Sequence, residues 1–345
     1  MHFFITGHTG FKGSWLVRFL QKLGHEVSGY SLDIRRGGLF ESARLEGELL
    51  QHTIGDIRDS AKLEKVLKKA RPDVVIHMAA QPLVLESYAK PAETFSTNVT
   101  GTLNLLQAVS NSGNCPITLI VTTDKVYRVS ENKQPHREGD PLGGLDPYAA
   151  SKAMADLLAQ SWAYSQDPGK ILIARAGNVI GAHDVSPNRL IPDAIRAIRS
   201  GGTLRLRYPE AVRPWQHVLD CLAGYLSYVG VAASEKSLPE ALNFGPDAKD
   251  FFSVREVVTL ISELDGRLKF SESPDTRMQQ ETLHLRLDSS NAQEILGWRN
   301  SYDLKHSVSM SLGELQDQEP RTLVDSQIDS YLDGEQGKAL SELLQ

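Results

Sequence analysis

Cysteine is almost missing from this chain: Cys115 and Cys221 are the only two in 345 residues. They lie on apolar segments far apart, with no histidine spacing beside them that would complete a zinc site. A disulfide framework and a metal centre are therefore excluded, and both thiols are expected as inert core residues. No apolar run approaches the ~18 residues a membrane-spanning helix needs. The first apolar strand starts almost at Met1 and leaves no stretch for a signal peptide, so the protein is expected in the cytoplasm with no membrane partner. Excess positive charge is absent too. A formal net charge of −6 gives no electrostatic footprint for nucleic acid. An anionic ligand must be held by local cations and backbone N–H groups.

What is present is ordinary for a globular protein: 41% hydrophobic and 23% charged residues. The length predicts one large domain or two closely joined ones. Short apolar runs at 2–6, 26–30, 51–54, 73–79, 117–122 and 171–175 alternate with amphipathic stretches at 14–23, 61–70, 92–110 and 149–164. Such alternation builds an α/β fold, a doubly wound parallel sheet of the Rossmann kind covered by helices on both faces. We expect this domain to span 1–175. Residues 176–313 are less regular, with helices near 192–199, 219–229 and 254–264 and a basic strand at 204–208. They read as a smaller lobe over the sheet's carboxyl edge, where open α/β folds bind ligands. Residues 314–345 are polar and are expected as a loosely attached tail.

Thr6-Gly7-His8-Thr9-Gly10-Phe11-Lys12-Gly13 joins the first strand to the first helix. Glycines there let the backbone turn tightly and approach a pyrophosphate resting on N–H groups at the helix N-terminus. Gly7, Thr9, Gly10, Phe11, Lys12 and Gly13 are therefore candidate dinucleotide contacts. Ser31 ends the second strand, where an acid usually holds the adenosine ribose, and Asp33 follows. Asp33 argues for NAD; Arg35 and Arg36 suit either the extra phosphate of NADP or a solvated loop. Asp56 and Ile57 follow the third strand, placed for the edge and face of the adenine.

Tyr148 and Lys152 are four residues apart on a predicted helix and share one face. An ammonium beside a phenol lowers its pKa, so Tyr148 is expected to remove a hydroxyl proton as hydride leaves for a nicotinamide. Thr123, Asp124 and Lys125 end the fifth strand, at the same sheet edge. Hydride transfer alone has little use for Asp124 and Lys125, and their presence points to oxidation coupled to loss of water. In the lobe, Asn178, Arg189, Leu190, Arg207, Arg213 and His217 sit on largely non-helical segments near Trp215. Arginine forks pair bidentately with phosphate oxygens, which suits a second diphosphate carried by the substrate.

Together these motifs resemble the extended short-chain dehydrogenase/reductases that act on nucleotide sugars, the NAD-dependent epimerase/dehydratase family, with the match nearest to CDP-glucose 4,6-dehydratases. The resemblance runs through Ile5-Thr-Gly-His-Thr-Gly-Phe-Lys-Gly-Ser-Trp15, His77-Met-Ala-Ala-Gln-Pro82, Thr122-Thr-Asp-Lys125 and Asp140-Pro-Leu-Gly-Gly-Leu-Asp-Pro-Tyr148. It continues in Arg175-Ala-Gly-Asn-Val-Ile-Gly181, Arg213-Pro-Trp-Gln-His217, Asn243-Phe-Gly-Pro246 and Leu296-Gly-Trp298. It implies NAD as cofactor, with further contacts from Ala79, Ala80, Gln81, Asn98 and Thr122, and Gln81 also on the substrate. It implies a CDP-hexose or related substrate and a cycle in three steps. Tyr148, with Thr123 and Lys152, oxidises C4; a base takes the C5 proton while Asp124 protonates the departing C6 hydroxyl; hydride then returns to C6.

The chain departs from the family pattern at Leu85, at Gly181-Ala-His183-Asp184-Val185, and in the loop 128–136, which lacks the usual aromatic residues. Who holds the proton in the Asp124–Lys125 pair stays open, since an ammonium at Lys125 favours ionised Asp124. Two other readings share the fold: a nucleotide-sugar 4-epimerase, and a non-catalytic dinucleotide sensor. Phe95, Val99, Leu103 and Leu106 on one helix, with Met154, Leu157, Leu158 and Trp162 on another, spread apolar surface over more than one face. The resemblance implies a homodimer through a four-helix bundle of these helices.

Overall fold

Aliphatic runs buried on both faces set the central sheet. In this computed structural model, which describes residues 1–114, 116–129, 134–166, 170–234, 237–247, 251–272 and 284–345, six strands appear where the patterning expects them. They are β1 (His2–Thr6), β2 (Glu26–Ser31), β3 (Gln51–Ile54), β4 (Val74–His77), β5 (Ile117–Val121) and β6 (Ile171–Ala176). A seventh, Ala241–Phe244, was not expected and pairs in parallel with β6. The order across the sheet is Ala241–Phe244, β6, β5, β4, β1, β2, β3. Strand order reverses between β1 and β4, the crevice where such folds bind dinucleotides.

The helix expected over 92–110 is interrupted: Pro91–Phe95, one π turn at Ser96–Thr100, then Gly101–Ser110. π turns concentrate at functional positions, and this one carries Asn98. The helix Pro147–Gln166 follows the expected pattern and brings Tyr148 to the sheet's edge.

The smaller lobe has a core of its own, built by Ile191, Ile195, Ile198, Leu204, Leu206, Trp215, Val257, Val258 and Ile261. Its helix Leu190–Ser200 leads into Thr203–Leu206, which pairs with Lys269–Glu272, and Val212–Pro214 pairs with Phe251–Ser253. Helix Val254–Leu264 starts with a capping box: the Ser253 hydroxyl accepts from Glu256 N, and the Glu256 carboxylate accepts from Ser253 N.

Two expectations about the second half need correction. Helix Val218–Ser234 does not stand in the lobe but lies under the large sheet, with Leu219, Leu222, Leu226 and Val229 in the same core as Phe3 and Ile5. Its apolar residues run all round, the mark of a helix buried on every side. Nor is the C-terminal stretch loose. Helices Pro320–Asp333 and Glu335–Leu343 bury Leu323, Val324, Ile328, Tyr331 and Leu340 in that core. The Arg18 guanidinium forks onto Asp325 at 2.5 and 2.7 Å. Few apolar residues on two polar helices make a stripe too narrow to read from composition. Cys221 is buried and unpaired; Cys115 lies outside the described residues. No helix among the described residues is long and apolar enough to cross a membrane.

Candidate active site

A cleft of about 2070 Å³ opens at the carboxyl ends of the strands and is lined by both lobes. The turn after β1 borders it through Phe11 and Lys12. Gly7 has φ of 78°, and a Cβ there would lie 2.8 Å from Ala79 N; a Cβ on Gly13 would lie 2.1 Å from Gly7 O. Only glycine lets the backbone close this tightly. Helix Phe11–Lys22 has no side-chain cap, so its first N–H groups suit a pyrophosphate, and Phe11 and Lys12 line the cleft. The Lys12 ammonium donates to the Tyr225 hydroxyl at 3.0 Å. Tyr225, from the helix under the sheet, carries no local signal that would mark it in the sequence.

The residues expected to meet adenosine lie at the ends of β2 and β3. Ser31 is buried and takes part in holding the turn: its hydroxyl accepts from Thr9 N at 3.3 Å and pairs with His8 Nδ1 at 2.8 Å. Thr9 donates to the Asp33 carbonyl at 2.6 Å. His8, which the sequence did not single out, is accommodated because Gly29 has no Cβ, and burial followed by neighbouring His52 pushes its pKa down to about 3. The Asp56 carboxylate is forked by Arg58, and Ile57 is a core residue against Gly101. Gln81 and Asn98 are bonded to each other beside the cleft-lining Ala80 and Pro82. Asn98 accepts from Gln81 N at 2.8 Å and donates to Gln81 O and Ser151 Oγ, while the Gln81 side chain holds Leu83 and Thr94. Ala80 lines the cleft; Ala79 packs into the core.

The reactive end assembles as the spacing predicts. Thr122, Thr123, Asp124, Lys125, Tyr148 and Lys152 all line the cleft. Thr123 donates to Asp124 Oδ1 at 3.0 Å, and it counters the effect of burial on the Tyr148 phenol. Asp124 is 2% exposed, and its Oδ2 is buried without a hydrogen-bond partner among the described residues. Burial pushes this carboxyl up against the opposing pull of Lys125, which favours the protonated form. Lys152 donates to the Val121 carbonyl at 2.8 Å, and burial, then Lys12, brings its pKa down to about 7. Burial pushes the Tyr148 phenol up to about 12, opposed by Thr123.

Behind these groups sits a clamp that the sequence did not show. Asp156, one turn beyond Lys152, accepts from Arg175 Nε and Nη2 at 2.8 Å each and from Thr122 Oγ1 at 3.0 Å. Arg175 also donates to Tyr127 Oη, which donates to Asn243 Oδ1 at 2.6 Å. The clamp locks the Tyr148 helix to the strand ends carrying Thr123 and Asp124.

On the lobe side, Asn178, Arg189, Leu190, Arg207 and Arg213 line the cleft, joined by Arg196 and Arg205. Arg189 pairs with Asp184 at 3.1 Å. His217 is a correction: it is fully buried between Trp15 and Tyr302 and does not reach the cleft. It immediately precedes the helix under the sheet, which draws it inward. His183 stands in the left-handed region, φ 62°, and its N–H donates to Glu314.

A curated CDP-glucose 4,6-dehydratase of Salmonella typhimurium is 41% identical over 319 residues, covering 88% of each chain. A UDP-glucose 4-epimerase of Pisum sativum is 27% identical over 328 residues, covering 87% of this chain and 91% of the other. Among solved structures, dTDP-glucose 4,6-dehydratase of Bacillus anthracis with NAD superposes with a TM-score of 0.77 at 22% identity, covering 94% of this chain and 99% of the other. UDP-glucose 4-epimerase of Bifidobacterium longum with NAD+ and UDP gives 0.80 at 23%, covering 93% and 100%. These structural likenesses show the shared fold. The family model described as the NAD dependent epimerase/dehydratase family matches residues 3–245, and the chain belongs to that family.

Proposed function

We propose that the protein is an NAD-dependent nucleotide-sugar 4,6-dehydratase, a hydro-lyase, with a CDP-hexose as its substrate. The observation that carries this reading is Asp124: a buried carboxyl, held toward its neutral form, hydrogen-bonded to Thr123 beside Tyr148. Bound NAD, held by the turn Gly7–Gly13 and the floor around Ala80, supplies a hydride acceptor at C4 and a hydride donor at C6. Tyr148 takes the C4 hydroxyl proton, relayed along Thr123, with Lys152 beside it. The resulting ketone acidifies C5–H, and Asp124 gives its proton to the departing C6 hydroxyl. A 4-epimerase has no step that needs this acid. Asn178, Arg189, Arg207 and Arg213 hold the substrate's diphosphate. The likeness to the Salmonella CDP-glucose enzyme supports cytidine.

Incubation with CDP-glucose and other nucleotide hexoses is expected to yield a product with the 4-keto chromophore in base. Turnover on every donor without loss of water overturns the assignment. Thermal shifts with CDP, UDP, GDP and dTDP rank the base, because stabilisation follows RT ln(1 + [L]/Kd). CDP ranking last removes cytidine and leaves the dehydratase. The reading includes a homodimer. Leu106, Leu158 and Trp162 face inward, whereas Leu103, Met154 and Leu157 are exposed on two helices tied together by Trp162 Nε1 and Ser110 Oγ. A monomer by sedimentation at micromolar concentration counts against it.

A further inference from the structure

Arg189, Arg196, Arg205, Arg207 and Arg213 give the lobe side of the cleft a run of cations, in a chain whose formal net charge is −6. Arg189 pairs with Asp184, and Arg196 donates to Asp193 and to Ser186 O. With the substrate's diphosphate held by Asn178, Arg189, Arg207 and Arg213, Arg205 is left over. It is exposed, lines the cleft, and has neither an ion pair nor a hydrogen bond among the described residues.

Its strand aims it. Thr203–Leu206 follows helix Leu190–Ser200 and pairs in parallel with Lys269–Glu272. Leu204 and Leu206 are buried in the lobe core, so strand alternation puts Thr203 and Arg205 on the opposite face, and both line the cleft. Arg207 is two residues on, at most about 7 Å along the chain. The preceding helix lines the same cleft with Asp193, Arg196, Ala197 and Ser200, which share one helical face.

The arginines are ordered. Arg213 is within electrostatic reach of Asp124 at the reactive end, Arg207 comes next back along the chain, and the lining continues through Arg205 and Thr203 to Gly202 and Ser200. A nucleotide sugar has a matching order of sugar, diphosphate, ribose and base. With the sugar at Asp124 and the diphosphate on Arg213 and Arg207, the group that falls to Arg205 is the nucleoside.

We propose that Arg205 reads the base of the substrate, its guanidinium forking onto O2 and N3 of cytosine. The proposal rests on the CDP-hexose reading above and names the residue that selects within it. A guanidinium has donors only, and cytosine presents two adjacent acceptors. Uracil and thymine carry a proton on N3, and guanine carries one on N1, so the same fork meets a donor and one N–H loses its partner. Planar bidentate pairing of this kind is open to arginine and closed to lysine.

The test is the affinity of the wild type, Arg205→Met and Arg205→Lys for CDP, UDP and inorganic pyrophosphate, by titration calorimetry with NAD present. Neither substitution strands a buried group, since Arg205 is exposed. The wild type is expected to bind CDP about tenfold or more tightly than UDP, in the lower range of what a bidentate arginine–base pair discriminates. Arg205→Met should lose this preference through weaker CDP binding, with UDP and pyrophosphate little changed. Arg205→Lys, which keeps the charge without the fork, should lose it too. With CDP-glucose as substrate, KM should rise by the same factor while kcat holds, because the base is remote from the reacting carbons. Equal weakening of all three ligands in Arg205→Met, or a preference kept by Arg205→Lys, makes Arg205 a plain anion contact and overturns the proposal. A preference that survives Arg205→Met overturns the proposal alone. Wild-type protein with no preference for CDP overturns the cytidine reading, and the proposal with it.

Discussion

Asp124→Asn is expected to reduce its cofactor on mixing with the sugar nucleotide and then stop, with product formation down about 10²–10⁴-fold. Asparagine has nearly the same shape, and its Oδ1 can still accept from the Thr123 hydroxyl, so the strand end should keep its geometry. What is lost is the proton. A carboxyl pushed up by burial can give one to a leaving hydroxyl; an amide cannot. Tyr148 and Lys152 remain, so the C4 step survives. Reduced-nicotinamide absorbance and the 4-keto chromophore, followed in one stopped-flow experiment, separate the two steps. Full dehydration by Asp124→Asn would falsify the role of Asp124, and a variant that neither reduces cofactor nor forms product would place Asp124 in the first step instead.

Asp156→Ala is expected to cost about 3–5 kcal/mol of stability, the usual penalty for stripping one partner from a buried ion pair. Asp156 is fully buried and Arg175 nearly so, so the abandoned guanidinium would be left buried. Against a typical total of ~5–15 kcal/mol, that is a large fraction. Thr122 loses its acceptor as well, so the strand end bearing Thr123 and Asp124 should loosen, and kcat should fall in the protein that remains folded. Replacing both partners by apolar residues, Asp156→Leu with Arg175→Met, should recover much of the stability, because no buried charge is stranded. Urea unfolding of the two single variants and the double variant measures this cycle. A single-variant loss below about 1 kcal/mol, the scale of a surface pair, contradicts a buried clamp.

The legible parts of the site were those written in local spacing. The turn from Gly7 to Gly13 shows itself by three glycines between a strand and a helix. Tyr148 and Lys152 show themselves by one helical turn, and Thr123 to Lys125 by ending an apolar run. Six strands were readable because parallel strands, covered on both sides, are continuous apolar runs. Ser31, Asp56, Gln81 and Asn98 were expected beside the cofactor, and their side chains are bonded to neighbouring groups in ways that spacing does not show. Position in the chain locates a residue at a sheet edge; it does not say which way a polar side chain turns when competing partners lie beside it.

The rest depended on groups distant in sequence. Lys12 meets Tyr225, Asp156 meets Arg175, Tyr127 meets Asn243, and Arg18 meets Asp325 only after the sheet has brought them together. Ala241–Phe244 becomes a strand by adding to β6, and Pro320–Asp333 becomes part of the core by covering helix Phe11–Lys22. By itself the sequence determined the doubly wound sheet, the glycine turn and the order of reactive residues along it, since these follow from hydrophobic period and steric allowance within a few residues. Only the tertiary structure decided that burial raises the Asp124 pKa, that Lys152 is engaged on β5, that His217 is buried and that His136 lines the cleft. Burial and electrostatic environment are set by everything packed around a group, and most of what surrounds each of these comes from elsewhere in the chain.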